Sequence, residues 1–482
     1  NIAYGDGFYT VPDPKDHRTI YANSQNGRTY LVDLEPREEK GIRPVPKDSK
    51  EQYRFNWSTP LVMSPHDPWV VYYGGNKLFK TTDRGHTWEV ISPDLTRNQD
   101  WKKLPIMGAE RSDDTLSRDD GVSDYGTITT ISESPRQPGL IYVGTDDGDV
   151  QVTRDGGRTW QNLTEKFKLP GPRWVSRLLA SRHQPDTAYV TFDGHQDDDF
   201  TPYIFKTTDS ANTWRSIAGD LPDGMVVNAL AEHPRNPDLL FAGTEFGLFV
   251  SANGGRNWVS MRGNLPRVPV DDIAISARDN DLILGTHGRS IIILDDVTAL
   301  EEMSDPRVLS DEAHLFPIRP ALQSYQMRML PSPGASKFSG PNPDYGALIT
   351  YFLKSDPPAA TDDTSRQGQT GAADPHVWLS SLLVKKQGAE ILAALKQIDE
   401  KNFSFYETNA KELNNKLDDL DVNIRKALKN CKKRDIITSH AAFTYFAQDY
   451  GLNQIAIAGL SPDEEPSPKR LAEIAKFAQK NN

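Results

Sequence analysis

Carboxylates carry most of the chemistry this sequence could perform, and they gather in two stretches. The first, Asp94 to Tyr125, holds Trp101, Arg111, Asp113, Asp114, Asp119, Asp120 and Asp124. The second, Asp193 to Phe200, holds Asp197, Asp198 and Asp199 in a row. Two carboxylates ~6.5–9.5 Å apart across a cleft would serve an inverting glycosidase, one as acid and one as base. Several carboxylate oxygens on one loop would suit Ca²⁺. A solvated or partner-binding acidic loop needs neither arrangement, and all three readings stay open at this level. No pair stands out as catalytic. His287, within Gly-Thr-His-Gly-Arg-Ser, reads as a turn residue.

Both stretches interrupt a repeat, and the repeat is what must position them. A Pro-punctuated turn recurs at Ser64–Pro68, Ser134–Pro138, Ser181–Pro185 and His233–Pro237, each followed by a short β-rich run. A second run then leads into Ser/Thr-x-Asp-x-Gly-x-Thr-Trp, at Thr81–Trp88 and Thr153–Trp160. The copy at Thr207–Trp214 has Ala211 for Gly, and the copy at Ser251–Trp258 has Asn253 and Asn257 for Asp and Thr. In such a motif the Asp caps turn amides, the Gly supplies positive φ, and the Trp packs between neighbouring sheets. Asp83 and Asp155 are therefore structural. Two degenerate units, Val11–Leu34 and Pro269–Asp296, flank these four. Six units at roughly 40–50-residue spacing suit the blades of a propeller. The spacing leaves open whether the ring closes with six blades or takes a seventh.

Residues 1 to about 300 thus resemble the sortilin-like, Asp-box (BNR) repeat proteins of bacteria. These are often labelled glycosyl hydrolase-like because xyloglucan-cleaving propeller enzymes share the repeat. The resemblance implies a mainly β, Asp-box β-propeller that works outside the cytoplasm. A glycan or protein ligand would sit on the propeller face, with glycoside hydrolysis of a polysaccharide as the alternative. Asp and Glu outnumber Lys and Arg by 67 to 55, for a net charge of −12. That balance disfavours nucleic acid or an anionic membrane as partner. No run reaches the ~20 apolar residues of a membrane span. The lone Cys431 excludes an intramolecular disulfide framework. The sequence begins at Asn1 rather than Met, so any signal peptide is expected outside it.

Beyond the propeller, residues 301–354 offer one strand-like run, Ala347–Leu353, and residues 355–373 have the composition of a linker. From Asp374 the pattern becomes helical. Ser380 can cap a run carrying Leu382, Leu383, Ile391, Leu392 and Leu395. Leu413, Leu417, Leu420, Ile424 and Leu428 then mark one face of a long helix. A strand at Ile436–Thr438, a helix over Ala441–Tyr450, a strand at Gln454–Ile457 and a last helix follow.

Residues 374–482 resemble part of the zinc- and manganese-binding proteins of bacterial ABC importers, in which a long helix joins two α/β lobes. The resemblance is carried by Asp374–Ser380, Thr438–Phe446 and Gly459–Pro468. It implies that His376 and His440 are metal ligands, one from each lobe, with Zn²⁺ as the metal. The family's site also draws on a histidine in the first lobe and a carboxylate near the C-terminus. With a propeller in place of that first lobe, the chain is expected to be a fusion or composite, its tail a truncated α/β segment.

Overall fold

The structure, a computed structural model, describes residues 5–105, 112, 114, 124–321, 346–355, 376–398, 400–457 and 468–480. The chain divides into two compact units, residues 1–354 and 355–482.

Unit 1 is a six-blade propeller. Five blades are four-stranded antiparallel sheets with strands in sequence order. Blade 1 spans Thr10–Gly41, blade 2 Leu61–Val90, blade 3 Ile128–Asn162, blade 4 Trp174–Ser216 and blade 5 Val227–Met261. Blade 6 has three strands, Val270–Ile275, Leu282–Thr286 and Ile291–Leu294. The core lies between blades. Tyr72, Leu78 and Ile91 of blade 2 pack on Ile128, Ile131, Ile141 and Val143 of blade 3, and comparable clusters join the later blades. Burying one such side chain is worth ~1.5–3 kcal/mol, so the repeat coheres through its interfaces.

The Asp-box chemistry is local, as its residue types dictate. The Asp83 carboxylate accepts from Thr81 Oγ1 at 2.8 Å, Thr87 N at 2.9 Å and Thr87 Oγ1 at 2.6 Å. Asp155 and Asp209 repeat the pattern. The box tryptophans then stitch each blade to the one before. Trp88 Nε1 donates to Ile42 O at 2.6 Å, Trp160 to Ile91 O at 3.0 Å and Trp258 to Ile217 O at 2.8 Å. Trp214 breaks the series, its Nε1 having no acceptor. This is the box where Ala211 holds the positive-φ position (φ 66°) in place of Gly. Trp258 is buried, while Trp88, Trp160 and Trp214 are half-buried and pack against the inter-blade clusters.

A second device lies at the channel. The innermost strands of blades 3 to 6 each carry one extra residue against their neighbour: Thr129, Ser176, Asn228 and Asp271. Such bulges re-aim a side chain. Here they aim it at the next blade. Thr129 Oγ1 donates to Val175 O and Ser176 Oγ to Val227 O, both at 2.7 Å, while Asn228 Nδ2 reaches Asp271 Oδ1 at 3.4 Å.

After blade 6 come α1 (Thr298–Glu302) and α2 (Pro306–Ser310). Val297 and Leu300 pack on Leu282 and Leu284. Sequence reading placed one strand in residues 301–354. Among the described residues two are present, Ala313–Leu315 pairing antiparallel with Tyr351–Leu353. The first is three residues long and lacks a β-branched run, so it leaves no sequence signal.

Unit 2 contains α3 (Ser381–Ile398), α4 (Phe403–Leu428), α5 (Thr444–Tyr450) and α6 (Pro468–Lys480). Strands Asp435–Thr438 and Asn453–Ala456 pair in parallel, as a strand–helix–strand unit requires. Ser380 caps α3 as expected, its Oγ accepting from Leu383 N at 3.1 Å and donating to Asp449 Oδ2 at 2.5 Å. Along the apolar stripe of α4, Leu413 and Leu420 are 43% and 49% exposed, while Leu417, Ile424 and Leu428 are half-buried.

Candidate functional site

In an up-and-down blade, the loops between blades and the second-to-third-strand hairpins share one face, and the Asp-boxes lie on the other. The Asp94–Tyr125 stretch joins blade 2 to blade 3, and Asp193–Phe200 is the second-to-third hairpin of blade 4. The described residues of both therefore open on the same face.

That face is organised around a hairpin the sequence reading did not single out, Thr145–Asp149. Asp147 is fully buried, accepting from Thr145 Oγ1 at 2.6 Å and from Arg97 N at 2.8 Å. Asp146 accepts from Thr127 N at 2.7 Å and Thr127 Oγ1 at 2.6 Å. Burial pushes the Asp146 carboxyl up to about 7, against the pull of these bonds, and raises Asp147 as well. Asp149 faces Arg97 Nε at 3.0 Å and Asn162 Nδ2 at 3.0 Å. Gly148 lets the hairpin touch the next loop, since a Cβ there would sit 2.8 Å from Arg173 N. Arg54 joins the inter-blade loops, donating to Asp94 Oδ2 at 2.9 Å, Thr96 Oγ1 at 3.0 Å and Gly126 O at 3.2 Å. Beside it opens a cavity of about 310 Å³, lined by Arg43, Pro44, Val45, Pro46, Glu51, Gln52, Tyr53, Arg54, Phe55 and Asp124.

Of the residues singled out in sequence, Trp101 begins a 3₁₀ turn, half-buried beneath Lys102. Asp114 is exposed. Arg111, Asp113, Asp119 and Asp120 lie outside the described residues. Asp197 and Asp199 converge on one cation, Arg173, at 3.5 and 2.9 Å. Asp199 also accepts from Tyr203 Oη at 2.8 Å. Burial pushes Asp199 up, but the bonds from Thr201, Arg173 and Tyr203 prevail and hold it at about 2. Asp198 is the left-handed residue of the turn (φ 59°) and is exposed. The expectation of calcium is not supported. Asp197 and Asp199 already face Arg173, and among the described residues no group of three or more His, Cys, Asp or Glu is placed to hold a metal ion.

At the channel mouth, Arg177 of blade 4 crosses to Asp272 of blade 6 at 2.6 Å. His287 lies in the turn expected for it, exposed, with Nδ1 3.5 Å from Asp271 Oδ2. The Arg177–Asp272 pair had no sequence signal, because it depends on which blades face one another.

In unit 2, His376 precedes a 3₁₀ turn, Val377–Leu379, that leads into α3. His440 follows the strand Asp435–Thr438 by two residues. The two rings meet edge to face with centroids 5.3 Å apart, and His376 lies the same distance from Trp378. His376 is 9% exposed, and His440 is half-buried. Thr438 Oγ1 and Gln454 Nε2 both donate to His440 O, at 2.8 and 3.1 Å, fixing its backbone. Imidazole nitrogens are of the donor type that Zn²⁺ takes.

Residues 334–482 match the family described as zinc-uptake complex component A, periplasmic (ZnuA). The C-terminal segment is 47% identical over 111 residues to the high-affinity zinc uptake system protein ZnuA of Bacillus subtilis strain 168, covering 23% of this chain and 35% of that protein. It is 41% identical over 119 residues to the zinc-binding lipoprotein AdcA of Streptococcus pneumoniae strain R6, covering 25% of this chain and 24% of that one. The chain therefore spans about a third or less of these relatives. Among solved structures, the GH74 xyloglucanase of Xanthomonas campestris is 19% identical over 62% of this chain and 45% of that chain, with a TM-score of 0.44. The chain is a composite, a propeller followed by a ZnuA-like segment.

Proposed function

We propose that this chain is a binding protein acting outside the cytoplasm, in which the ZnuA-like unit takes Zn²⁺ through His376 and His440. The observation that carries this reading is the 5.3 Å approach of the two rings. The zinc-handling names of the relatives and the periplasmic description of the family support the metal and the compartment. Firm zinc sites use three or four protein ligands, so two imidazoles bind weakly and exchange readily. Calorimetric titration of the full chain with Zn²⁺, beside a His376→Ala/His440→Ala variant, tests it; equal heats would remove both histidines from any metal role.

The propeller, in the same proposal, presents its loop face to a glycan or protein ligand. Trp57, Phe200 and Phe246 stand 44%, 48% and 54% exposed on loops of that face. Rings beside acidic groups offer sugars or peptides both stacking and hydrogen-bond acceptors. The alternative, glycoside hydrolysis, needs two available carboxylates across a cleft. Asp146, Asp147, Asp149 and Asp199 are each engaged by their own scaffold, which favours binding. A glycan array probed with wild type and a Phe200→Ala/Phe246→Ala variant decides between a ligand face and bare surface: equal profiles contradict the assignment.

A further inference from the structure

In every blade the residue that follows the innermost strand caps the next turn. Ser64 Oγ accepts from His66 N, Ser134 Oγ from Arg136 N, Ser181 Oγ from His183 N and Ser276 Oγ from Asp279 N, at 3.1 to 3.3 Å. In blade 1, Asp13 Oδ1 takes Lys15 N at 2.9 Å. Blade 5 uses a ring nitrogen instead: His233 Nδ1 accepts from Arg235 N at 3.2 Å and from Asn236 N at 3.3 Å. A serine hydroxyl does not titrate near neutral pH, whereas an imidazole does. His233 is fully buried, and its partners fix one neutral form. Glu301 Oε1 accepts from Asn280 Nδ2 at 2.7 Å, so Asn280 turns its Oδ1 to His233 Nε2, 2.9 Å away, and that nitrogen carries the proton. Nδ1, facing two amide donors, is bare. The turn it caps holds α1: Arg235 pairs with Glu301 Oε1 at 2.5 Å, and Asn236 Nδ2 donates to Glu301 O at 2.7 Å.

We propose that His233 is an acid-sensitive latch, whose protonation frees α1 from the turn of blade 5. A second proton can enter the ring only at Nδ1. There it opposes the amides of Arg235 and Asn236, undoing the cap on the turn that carries both grips on Glu301. The charged and titratable groups facing the ring come from three elements. They are Glu301 of α1, with Oε1 3.8 Å from Nε2; Arg235 of the same turn; and His183 of blade 4, whose Nε2 lies 2.8 Å from His233 O. Burial holds the ring below the usual histidine range; the Asn280 bond and Glu301 pull it upward, while Arg235 and His183 push it down. With the folded-state value below the unfolded one, the latch's stabilisation is complete above the unfolded value near ~6.5 and is lost as pH falls below it.

Hydrogen exchange of the full chain, read as protection factors at about pH 7.5 and about pH 5, tests this. Wild type loses protection at the lower pH at the amides of Arg235 and Asn236, and at Val297, which donates to Asn280 O ahead of α1. The equivalent amide of blade 3, Arg136, keeps its protection because its acceptor is a serine hydroxyl. His233→Ser installs the cap of blades 2, 3, 4 and 6 and removes the pH dependence. Glu301→Gln withdraws the anion that favours the charged ring, so the loss moves to lower pH; it also decides the matter where His233→Ser does not fold. Unchanged wild-type protection between the two pH values, an equal loss in His233→Ser, or a Glu301→Gln loss at the wild-type pH overturns the proposal.

Discussion

His376 and His440 stand edge to face with ring centroids 5.3 Å apart, one entering ahead of α3 and the other just past the first strand of the unit. Each backbone is held by structure that does not depend on the imidazoles. Ser380, four residues beyond His376, is bonded to Asp449, and the His440 carbonyl is bonded to Thr438 and Gln454. Alanine at both histidines is therefore expected to leave the unit folded. That makes the pair testable by ligand binding alone.

The box tryptophans predict a graded response in stability. Trp160→Phe loses the bond to Ile91 O, whereas Trp214→Phe loses none, although both rings are half-buried. Trp160→Phe is expected to cost about 1 kcal/mol more, the usual worth of one hydrogen bond. Urea unfolding of the two variants measures it. Equal losses would mean that the indole bond contributes nothing.

The Asp-boxes predict acid sensitivity. Hydrogen bonds from the box threonines hold Asp83, Asp155 and Asp209 at about 2. Their folded-state values lie below the unfolded carboxylate range, so their stabilisation is complete above that range and is lost as pH falls toward 2. The melting temperature should drop over roughly pH 4 to 2. Asp155→Asn should flatten part of that drop.

Asp146 predicts the opposite slope. Burial raises its carboxyl to about 7, so its contribution is fully present below the unfolded value near ~4 and is lost as pH rises through 7. Asp146→Asn keeps the shape without the charge. Its melting temperature should gain on wild type at pH 8 relative to pH 5, and an unchanged difference would show that the group does not titrate in this range.

The propeller was legible because its signals are local. Proline turns, an Asp two residues from a Thr and a following Trp each act within one hairpin, so spacing alone marks the turns of four of the six blades. The fit of α3 to its Ser380 cap was legible for the same reason. The loop face was not. Asp146 and Asp147 acquire their character from Thr127 and Arg97, which belong to other loops. The Arg177–Asp272 pair needs the ring to form before the two residues meet. In unit 2 the converse holds: no residue spacing links His376 with His440, and family resemblance supplied what local pattern could not.

The central claim is most directly tested by calorimetric titration of the full chain with Zn²⁺, set beside His376→Ala, His440→Ala and the double variant. The account predicts saturable, weak zinc binding by wild type that either single substitution reduces and the double substitution abolishes. Indistinguishable isotherms for wild type and the double variant would contradict it.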